Sequence, residues 1–456
     1  MEYDIVIVGA GAVGVFASYE FTKLNTNAKI LLIDKGLDIE DRLSHYDKNN
    51  KKNSRVDIMH GFGGAGALSD GKYNITTNFG GDLHKTIGKE EALTLMEYVD
   101  EVLCNFDEKK DLKLFSTGDC DLKTIALRHN LHLLDAKVRH FGTDRNIEIL
   151  KKIRKYIDKK IDTKFSCTVE DITVLDDKFI LQTSTNEQIV AKDVILAGGR
   201  SGSKWISKLC TKLDIPFFSN KVDIGVRVEL PAEIFKHITD EVYESKLVYQ
   251  TKQYNDLVRT FCMNPYGQVV MEKSDDLITV NGHSFTDKKL HSENTNFALL
   301  VSNTFTEPFK NSNEYGESIA RLSNMLGGNV LVQRFGDLVK GRRSSERRMQ
   351  KCFTRPTLNA TAGDLSLVLP KRQLDNIIEM IFALDKIAPG TANEDTLLYG
   401  VEVKFYNSKV EVDENLETKI KGLFAAGDGS GITHSLSQAS ACGVKVARIL
   451  NEKYNR

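Results

Sequence analysis

Three glycines near the N-terminus have the spacing of a loop that binds phosphate groups. Gly9, Gly11 and Gly14 form a G-x-G-x-x-G pattern directly after the apolar run 5–8. The first glycine of such a pattern permits a tight turn, the second lets backbone approach a pyrophosphate, and the third lets the next helix pack on the strand. The N-terminal N–H groups of that helix point at the phosphates. These residues therefore predict a dinucleotide site.

An acidic residue follows the glycines at the distance expected for a ribose contact. The apolar stretch 29–33 predicts a second strand that ends at Asp34, about 20 residues past the glycines. A carboxylate there can bind the ribose 2′-hydroxyl and would repel a 2′-phosphate, so the pattern disfavours NADP at this site. A helix is expected over residues 13–24. A glycine-rich turn without a ligand is the alternative.

A later segment predicts a first return of the chain to the same domain. Residues 193–202 read Asp-Val-Ile-Leu-Ala-Gly-Gly-Arg-Ser-Gly, an apolar strand that runs into Ala197, Gly198 and Gly199. Two alternating stretches before it predict antiparallel strands. Val169, in the first of these strands, stands where FAD folds of this type offer backbone to the adenine. A return of this kind is expected of an FAD protein rather than of an enzyme that binds NAD alone.

A second return is predicted near the C-terminus. Residues 422–435 read Gly-Leu-Phe-Ala-Ala-Gly-Asp-Gly-Ser-Gly-Ile-Thr-His-Ser. A buried strand over 423–426 would bring Asp428 to a ribityl hydroxyl, and a helix over 435–452 would begin at the flavin N1–O2 edge. The positive end of that helix would stabilise negative charge on the reduced ring. We therefore predict FAD, bound non-covalently.

The segment 61–72 contains five glycines in twelve residues and has two competing functional interpretations. Gly66 to Lys72 fits the beginning of a P-loop, but Tyr73 stands where a serine or threonine must bind magnesium. The other interpretation is a backbone wall against the isoalloxazine ring, from which Lys72 or Tyr73 could reach flavin N5 or the substrate. A flexible surface loop is the remaining alternative.

With these segments, the chain resembles a family of uncharacterised FAD-dependent dehydrogenases along nearly its whole length. The resemblance rests on the segments 63–72, 140–144, 225–229, 260–267, 280–284, 294–301, 400–403 and 422–443. It implies an FAD fold of the glutathione-reductase superfamily, a substrate domain inserted before the C-terminal return, and hydride chemistry. The sequence departs from the family at Asn264, Tyr266 and His283 and around positions 428 and 433–435. Substrate identity is therefore not carried over.

The predicted fold class is α/β, with a Rossmann-like FAD-binding domain assembled from discontinuous segments and an inserted β-rich α+β substrate domain. The predicted boundaries are 1–215 for the first part of the FAD-binding domain, 216–390 for the substrate domain, and 391–456 for the C-terminal return. Alternating patterns in the substrate domain predict strands at 222–230, 258–263, 268–271, 277–281 and 296–303, and a helix over 313–326.

Four residues are candidates for catalysis: His434, His283, Tyr73 and Arg227. The two histidines could give or take a proton because imidazole titrates near neutrality, although each could instead be structural. Arg227 could clamp a substrate carboxylate, or it could pair with an acid such as Glu229 or Asp223.

The residues predicted to contact the cofactor come from all of these segments, and no metal ligand is predicted. They are Gly9, Gly11, Ala12, Val13, Gly14, Asp34, Lys35, Gly63, Gly64, Ala65, Ser69, Lys72, Val169, Ala197, Gly198, Gly199, Gly427, Asp428, Thr433, His434 and Ser435.

Composition narrows the choice of partners. The net charge of −1 gives no global attraction to nucleic acid or to an anionic membrane, and no run of about 18 apolar residues predicts a membrane span. Seven cysteines without a C-x-x-C pair are typical of reduced thiols, so a cytoplasmic protein is expected. The basic run 340–351 could receive a phosphorylated substrate or the nucleotide end of NAD(P)H, or it could form a solvated face.

No second G-x-G-x-x-G occurs, so a dedicated NAD(P)H domain is not expected. Electrons would come from a small organic substrate, from transient NAD(P)H binding, or from an electron-donor protein. The predicted function is an FAD-dependent dehydrogenase or reductase. A flavin monooxygenase or halogenase, a flavin-dependent RNA-modifying enzyme, and a redox-sensing flavoprotein without turnover are the alternatives.

Overall fold

The computed structural model describes residues 1–50, 59–118, 120–242, 245–274, 277–285, 288–306, 308–309 and 311–455, with the backbone alone for 45–50 and 274. The chain divides into two compact units. The first unit comprises Met1–Leu114, Lys137–Asn220 and Asn407–Arg456. The second unit comprises Phe115–Ala136 and Lys221–Tyr406.

The strands of the described residues are numbered from the N-terminus. They are β1 (Glu2–Val8), β2 (Ile30–Ile33), β3 (Lys72–Ile75), β4 (Leu114–Ser116), β5 (Leu131–Leu133), β6 (Lys137–His140), β7 (Asp162–Lys164), β8 (Val169–Leu175), β9 (Lys178–Thr183), β10 (Gln188–Leu196), β11 (Phe217–Phe218), β12 (Val222–Pro231), β13 (Leu247–Gln250), β14 (Leu257–Asn264), β15 (Gln268–Ser274), β16 (Leu277–His283), β17 (Asn294–Asn303), β18 (Leu331–Arg334), β19 (Thr361–Ala362), β20 (Leu397–Phe405), β21 (Lys409–Val410) and β22 (Leu423–Ala425).

The α-helices are numbered in the same way. They are α1 (Ala12–Lys23), α2 (Ile39–Asn50), α3 (Leu83–Ile87), α4 (Lys89–Phe106), α5 (Asp121–Arg128), α6 (Thr143–Ile157), α7 (Ser203–Lys212), α8 (Ala232–Val242), α9 (Ser312–Gly327), α10 (Phe335–Val339), α11 (Glu346–Met349), α12 (Lys371–Asp385) and α13 (Leu436–Tyr454). None of those within the described ranges is both long enough and apolar enough to cross a membrane.

The first unit is built on a sheet in which β7, β2, β1 and β10 are parallel neighbours. Two strands pair with the edge of β10 that faces away from β1. The beginning of β10 pairs with antiparallel β9, and its end pairs with parallel β22. Ile5 and Ile7 of β1 are buried in one hydrophobic cluster with α1 and α13, whereas Val6 and Val8 are buried in another with α7. Both faces of the strand are therefore covered, which explains its uninterrupted apolar run.

The second unit is built on an eight-stranded sheet in the order β19-β18-β20-β12-β17-β14-β13-β5. Its long strand β12 pairs antiparallel with β17 and with β20. The even-numbered residues of β12 point into one hydrophobic core, and α8 and α12 contact this strand. The five strands predicted here and the helix over 313–326 are present, each extended by a few residues, as β12, β14, β15, β16, β17 and α9.

The unit boundaries differ from the predicted ones because of pairing between distant strands. Leu397–Phe405 forms β20, which pairs with β12, so the second unit continues to Tyr406 rather than ending at 390. Residues 115–136 also belong to it because β5 pairs with β13. Local sequence patterns predict that a strand exists but not which distant strand it will join.

Candidate functional site

The N-terminal glycines form a tight turn between β1 and α1. Gly9 has φ +114°, and a Cβ atom added to it would lie 2.2 Å from the carbonyl oxygen of Ala197. A Cβ atom on Gly14 would lie 2.0 Å from the carbonyl oxygen of Gly9. Gly11, the N-cap of α1, differs from both, because a Cβ atom there would meet nothing within 4 Å. The turn therefore leaves no room for a side chain at Gly9 or Gly14, whereas there is free space beside Gly11.

Asp34 connects this turn to the glycine-rich segment. Its Oδ2 accepts a hydrogen bond from the Ala10 N–H at 2.7 Å. Its Oδ1 accepts from the N–H groups of Gly36 at 2.7 Å and Gly61 at 2.8 Å. Since each carboxylate oxygen can accept two hydrogen bonds, Oδ2 retains capacity for a hydroxyl group.

The glycine-rich segment lies directly beside the turn. The Gly63 N–H donates to the Ala10 carbonyl at 2.8 Å, and a Cβ atom on Gly64 would lie 3.0 Å from the Cα atom of Gly11. Arg42 holds the segment in place through two hydrogen bonds. Its Nη1 donates to the carbonyl oxygens of Phe62 at 2.5 Å and Gly64 at 3.1 Å. Backbone rather than side chains thus faces the open position at Gly11.

The first predicted return is present. Strand β10 runs parallel to β1, and the Ala197 N–H donates to the Val8 carbonyl at 2.8 Å. The chain then turns at Gly199, which has φ +60°. A Cβ atom on Gly429 would lie 2.7 Å from the carbonyl oxygen of Gly199, so this turn lies against the second return.

The second return packs against α1. A Cβ atom on Gly427 would lie 2.5 Å from Cγ2 of Val13, and one on Gly443 would lie 2.2 Å from the Val13 carbonyl oxygen. A short 3-10 turn, Asp428–Ser430, follows β22, and α13 then begins with Ser435 as its N-cap. The Ser435 Oγ accepts from the Gln438 N–H at 3.3 Å. The two returns and the N-terminal glycine turn therefore converge within the first unit.

Asp428 and His434 form a polar pair in this return. His434 Nδ1 lies 2.9 Å from Asp428 Oδ1, and Arg200 Nε lies 3.4 Å from Asp428 Oδ2. Asn407 Nδ2 donates to the Asp428 carbonyl at 2.7 Å. The carboxylate orients the imidazole ring through this contact. Arg200 and Asn407 were not predicted, although Arg200 directly follows the Ala-Gly-Gly turn.

Thr433, which directly precedes His434, offers a further polar atom in the second return. Its side chain is fully buried, and its Oγ1 has no hydrogen-bond partner among the described residues. A buried hydroxyl without a partner costs free energy, so it indicates a position where a ligand atom or water completes the hydrogen bonding.

Tyr73 is buried and its hydroxyl is hydrogen-bonded within the first unit, which does not favour the catalytic role predicted for it. It lies in the core of the first unit, where its hydroxyl donates to Asn146 Oδ1 at 3.3 Å and its ring packs edge-on against Phe141. Burial raises the pKa of Tyr73 well above its ordinary value. Lys72 Nζ forms an ion pair with Asp70 at 3.0 Å. Because β3 begins at Lys72, where a P-loop would continue into a helix, the P-loop interpretation is wrong.

The remaining predicted contacts are distributed around the turn and the sheet. Ala12 is the first residue of α1, and Val169 is the buried first residue of β8. The Ser69 Oγ donates to the Gly66 carbonyl at 2.8 Å. Lys35 and Ala65 are exposed.

Arg227 in the second unit is completely buried and forms an ion pair. Its Nη1 lies 3.2 Å from both carboxylate oxygens of Glu402. Its Nε donates to Asn296 at 2.9 Å and its Nη2 to the Cys262 carbonyl at 2.7 Å. The pairing alternative is therefore the one observed, but the predicted partners Glu229 and Asp223 are wrong.

Burial raises the pKa of Glu402 to about 7, although Arg227 acts in the opposite direction. A carboxyl group whose pKa is higher in the folded state stabilises the fold fully below its unfolded-state pKa of 4.5. We therefore expect the free energy of unfolding to fall on the order of 3 kcal/mol as pH rises from about 4.5 to 7.

Denaturant unfolding across this pH range checks the prediction in the wild type and in Glu402→Gln. The variant loses stability overall because Arg227 stays buried without a carboxylate. The prediction concerns the pH dependence alone, which should be weaker in the variant. Equal slopes in the two proteins would contradict it.

His283 lies at the end of β16 in the second unit, exposed, with its ring edge-on to Phe285 at 4.8 Å between centroids. His434, in contrast, belongs to the first unit. The two predicted catalytic histidines are thus on different units.

The basic run 340–351 has acidic partners. Arg342 Nε lies 2.7 Å from Oδ1 of the fully buried Asp337, and Lys340 Nζ lies 2.5 Å from Glu394. These partners favour a structural role for the run over a phosphate site.

A comparison with known protein families finds a match in the second unit. Residues 221–405 match the family model described as "FAD-dependent protein, C-terminal domain-like". The match begins at the first residue of the long segment of the second unit and ends one residue before Tyr406.

Along 99% of its length the chain is 26% identical to an uncharacterized protein of Clostridium beijerinckii, of which the match covers 81%. Among solved structures, glycine oxidase from Geobacillus kaustophilus matches 99% of this chain and 95% of its own, with 11% identity and a TM-score of 0.42. L-proline dehydrogenase from P. horikoshii matches 99% and 94%, with 12% identity and a TM-score of 0.42. The long segment of the second unit is therefore similar to the C-terminal domain of FAD-dependent proteins, and FAD is the cofactor of this chain.

Proposed function

We propose that this chain is an FAD-dependent oxidoreductase that transfers hydride between flavin N5 and a small organic substrate. The observation that carries the proposal is the convergence of four separate segments on one turn of the first unit. Asp34, the glycine-rich segment, the Ala-Gly-Gly turn and the C-terminal return are all connected to the residues 9–14. A fold that bound only NAD would need the turn and Asp34 but not the C-terminal return.

The residues of this site fit FAD. The open position at Gly11 and the N-terminus of α1 would receive the pyrophosphate, and Asp34 would bind a ribose hydroxyl. The backbone of Gly63 and Gly64 supplies a wall free of side chains. The hydroxyl of Thr433, two residues before the N-cap of α13, has no hydrogen-bond partner in the described part of the chain and could bond to a polar atom of the cofactor.

FAD, when bound, supplies an acceptor and donor of hydride, and the protein supplies orientation, water exclusion and charge. The N-terminus of α13 provides positive potential where negative charge develops. His434, held through its Nδ1 by Asp428, can give or take a proton at its other ring nitrogen, Nε2.

General chemistry, and not a contact in the structure, is the basis of our proposals for the substrate, the electron source and the compartment. All seven cysteines are free, which is typical of a reducing compartment, and we assign the protein to the cytoplasm. Electrons come from the substrate, from transient NAD(P)H binding or from a donor protein. The net charge of −1 makes nucleic acid and anionic membranes poor partners.

Anaerobic reduction tests the proposal. The purified holoprotein is titrated without oxygen against NADH, NADPH and a panel of small amino and hydroxy acids, and the absorbance at about 450 nm is followed. Bleaching by an organic donor, with formation of the oxidised donor, is expected. A bound flavin that dithionite reduces but no organic donor or carrier protein reduces would contradict an oxidoreductase.

A further inference from the structure

One surface segment of the second unit has a strong excess of positive charge. Residues 340–355 contain seven lysines and arginines and a single acidic residue, Glu346. The chain as a whole is balanced, with 62 lysines and arginines against 63 aspartates and glutamates. We call residues 340–355 the cationic segment. Its excess charge produces a positive potential that is confined to this part of the surface.

Two carboxylates outside the cationic segment balance part of its charge. Asp337, which is fully buried, pairs with Arg342 at 2.7 Å and lies 3.9 Å from Arg348. Glu394 pairs with Lys340 at 2.5 Å. These ion pairs attach the beginning of the segment to the fold, so its cations there have a structural role.

Four other cations of the segment are not matched in this way. Arg343, Arg347, Lys351 and Arg355 are exposed, and in the part of the chain that the structure describes no carboxylate forms an ion pair with any of them. Two of them donate to backbone carbonyl oxygens, Arg343 at 3.3 Å and Arg355 at 3.2 Å. Because a carbonyl group is neutral, these contacts orient the two side chains without cancelling their charge.

The short helix α11 and the turn that follows it place the charges on the outside of the segment. Met349 and Cys352, three positions apart, are buried. Arg347 and Lys351, four positions apart, are exposed. Residues four positions apart are neighbours on a helical surface, and the Lys351 N–H donates to the Arg348 carbonyl at 3.1 Å, which continues the helical turn. The two exposed charges are therefore close to each other.

An exposed aromatic side chain lies among these charges. Phe353 is 78% exposed, more than any other phenylalanine of the described residues. Its N–H donates to Asp395 Oδ2 at 2.8 Å, and the Cys352 Sγ donates to the Asp395 carbonyl at 3.4 Å. Thr354, the next residue, is buried. The backbone on both sides of the ring is thus held by the fold, and a side chain that is presented in this way loses little freedom when it binds a partner.

We propose that Arg343, Arg347, Lys351, Phe353 and Arg355 form a docking surface for an acidic segment of a partner protein. Arginine binds a carboxylate through two parallel hydrogen bonds, and arginine and aromatic residues are enriched at protein interfaces. The four cations contact carboxylates of the partner, and the ring contacts an apolar side chain between them. The inference concerns the second unit alone and is independent of the proposed oxidoreductase function.

The charge outside the cationic segment favours a protein segment over nucleic acid or an anionic membrane. The chain carries −1 although the cationic segment carries +6, so the remainder of the chain carries −7. A nucleic acid or a membrane is an extended polyanion, which the remainder of the chain repels. A short acidic segment contacts the docking surface alone.

Fluorescence anisotropy of a labelled peptide, titrated with the full chain at low salt, tests the proposal. The probe is a short peptide of glutamates with one central leucine, and its binding should weaken as sodium chloride is added. Arg347→Gln/Lys351→Gln should bind it about 2- to 30-fold more weakly than wild type, the effect of losing two exposed ion pairs. Phe353→Ala should weaken binding at least about fivefold, as expected for an aromatic anchor of an interface.

Matched controls are available in the same unit. Lys236→Gln/Lys371→Gln removes the same charge from two exposed ion pairs, and Met325→Ala truncates an apolar side chain that is 71% exposed. Both should bind the peptide as the wild type does. Circular dichroism confirms that each variant is folded, which is expected because every substituted side chain is on the surface.

The outcomes also distinguish the kinds of partner. Wild type that does not bind the acidic peptide, variants that bind it like the controls, or equal binding of a peptide with lysine in place of glutamate would each overturn the inference. Vesicles that contain phosphatidylserine and single-stranded DNA are titrated in the same way. Tighter binding of either one than of the peptide, lost in the same variants, would assign the surface to a membrane or to nucleic acid and overturn the choice of a protein.

Discussion

Replacing Gly11 with alanine leaves the fold intact and weakens FAD binding by about 5- to 150-fold. Gly11 has φ −73°, which alanine adopts freely, and the added Cβ atom would meet no protein atom within 4 Å. The methyl group would instead enter the space that we assign to the pyrophosphate. Overpacking of this kind costs about 1–3 kcal/mol. Titration of the apoprotein with FAD, followed by flavin fluorescence, measures the effect.

Gly14→Ala provides the contrast in the same turn. Its Cβ atom would lie 2.0 Å from the carbonyl oxygen of Gly9, so the variant must distort backbone and lose stability. Thermal unfolding should therefore separate the two variants: Gly14→Ala unfolds at a lower temperature, and Gly11→Ala unfolds like the apo wild type. Wild-type FAD affinity in Gly11→Ala would show that the cofactor does not occupy this space.

Replacing His434 with glutamine should slow flavin reduction by about 10²–10⁴-fold, the usual contribution of a general acid or base. The Nδ1 atom of His434 is held by Asp428 at 2.9 Å, and we propose that the ring exchanges a proton through Nε2. Asp428→Asn should cause a smaller loss, because the imidazole remains but the carboxylate that orients it is removed.

Stopped-flow reduction, with the donor identified for the wild type, measures these rates. The flavin content of each variant is determined first, so that loss of cofactor is not counted as loss of rate. His132→Gln, at an exposed histidine of β5, is the matched control and should reduce at the wild-type rate. Equal rates for His434→Gln and this control would exclude a proton-transfer role for His434.

The features of the first unit that could be predicted are those that depend on a few residues close together in the sequence. Gly9 and Gly14 must be glycine because backbone atoms approach them closely, and Asp34 ends a strand of continuous apolar residues. The C-terminal return was predicted for the same reason: Gly427 lies against Val13, and an apolar strand precedes it. Such constraints can be recognised from the types and spacing of a few neighbouring residues.

The parts that escaped prediction depend on contacts between distant segments. The partner of Arg227 is Glu402, 175 positions away and on a strand that the predicted boundary at 390 had excluded from this unit. Tyr73 is directed into the core by Asn146 and Phe141, on another helix and loop. Arg200 acquires its place beside Asp428 only when two turns meet. The amphipathic helices α8 and α12 were also missed.

The central claim is that the first unit binds FAD, and reconstitution tests it most directly. The purified protein is stripped of ligand, titrated with FAD, and its visible spectrum recorded after removal of free cofactor. The account predicts roughly one tightly bound FAD per chain, with absorption bands at about 370 and 450 nm. A folded protein that remains colourless after incubation with FAD would contradict the account.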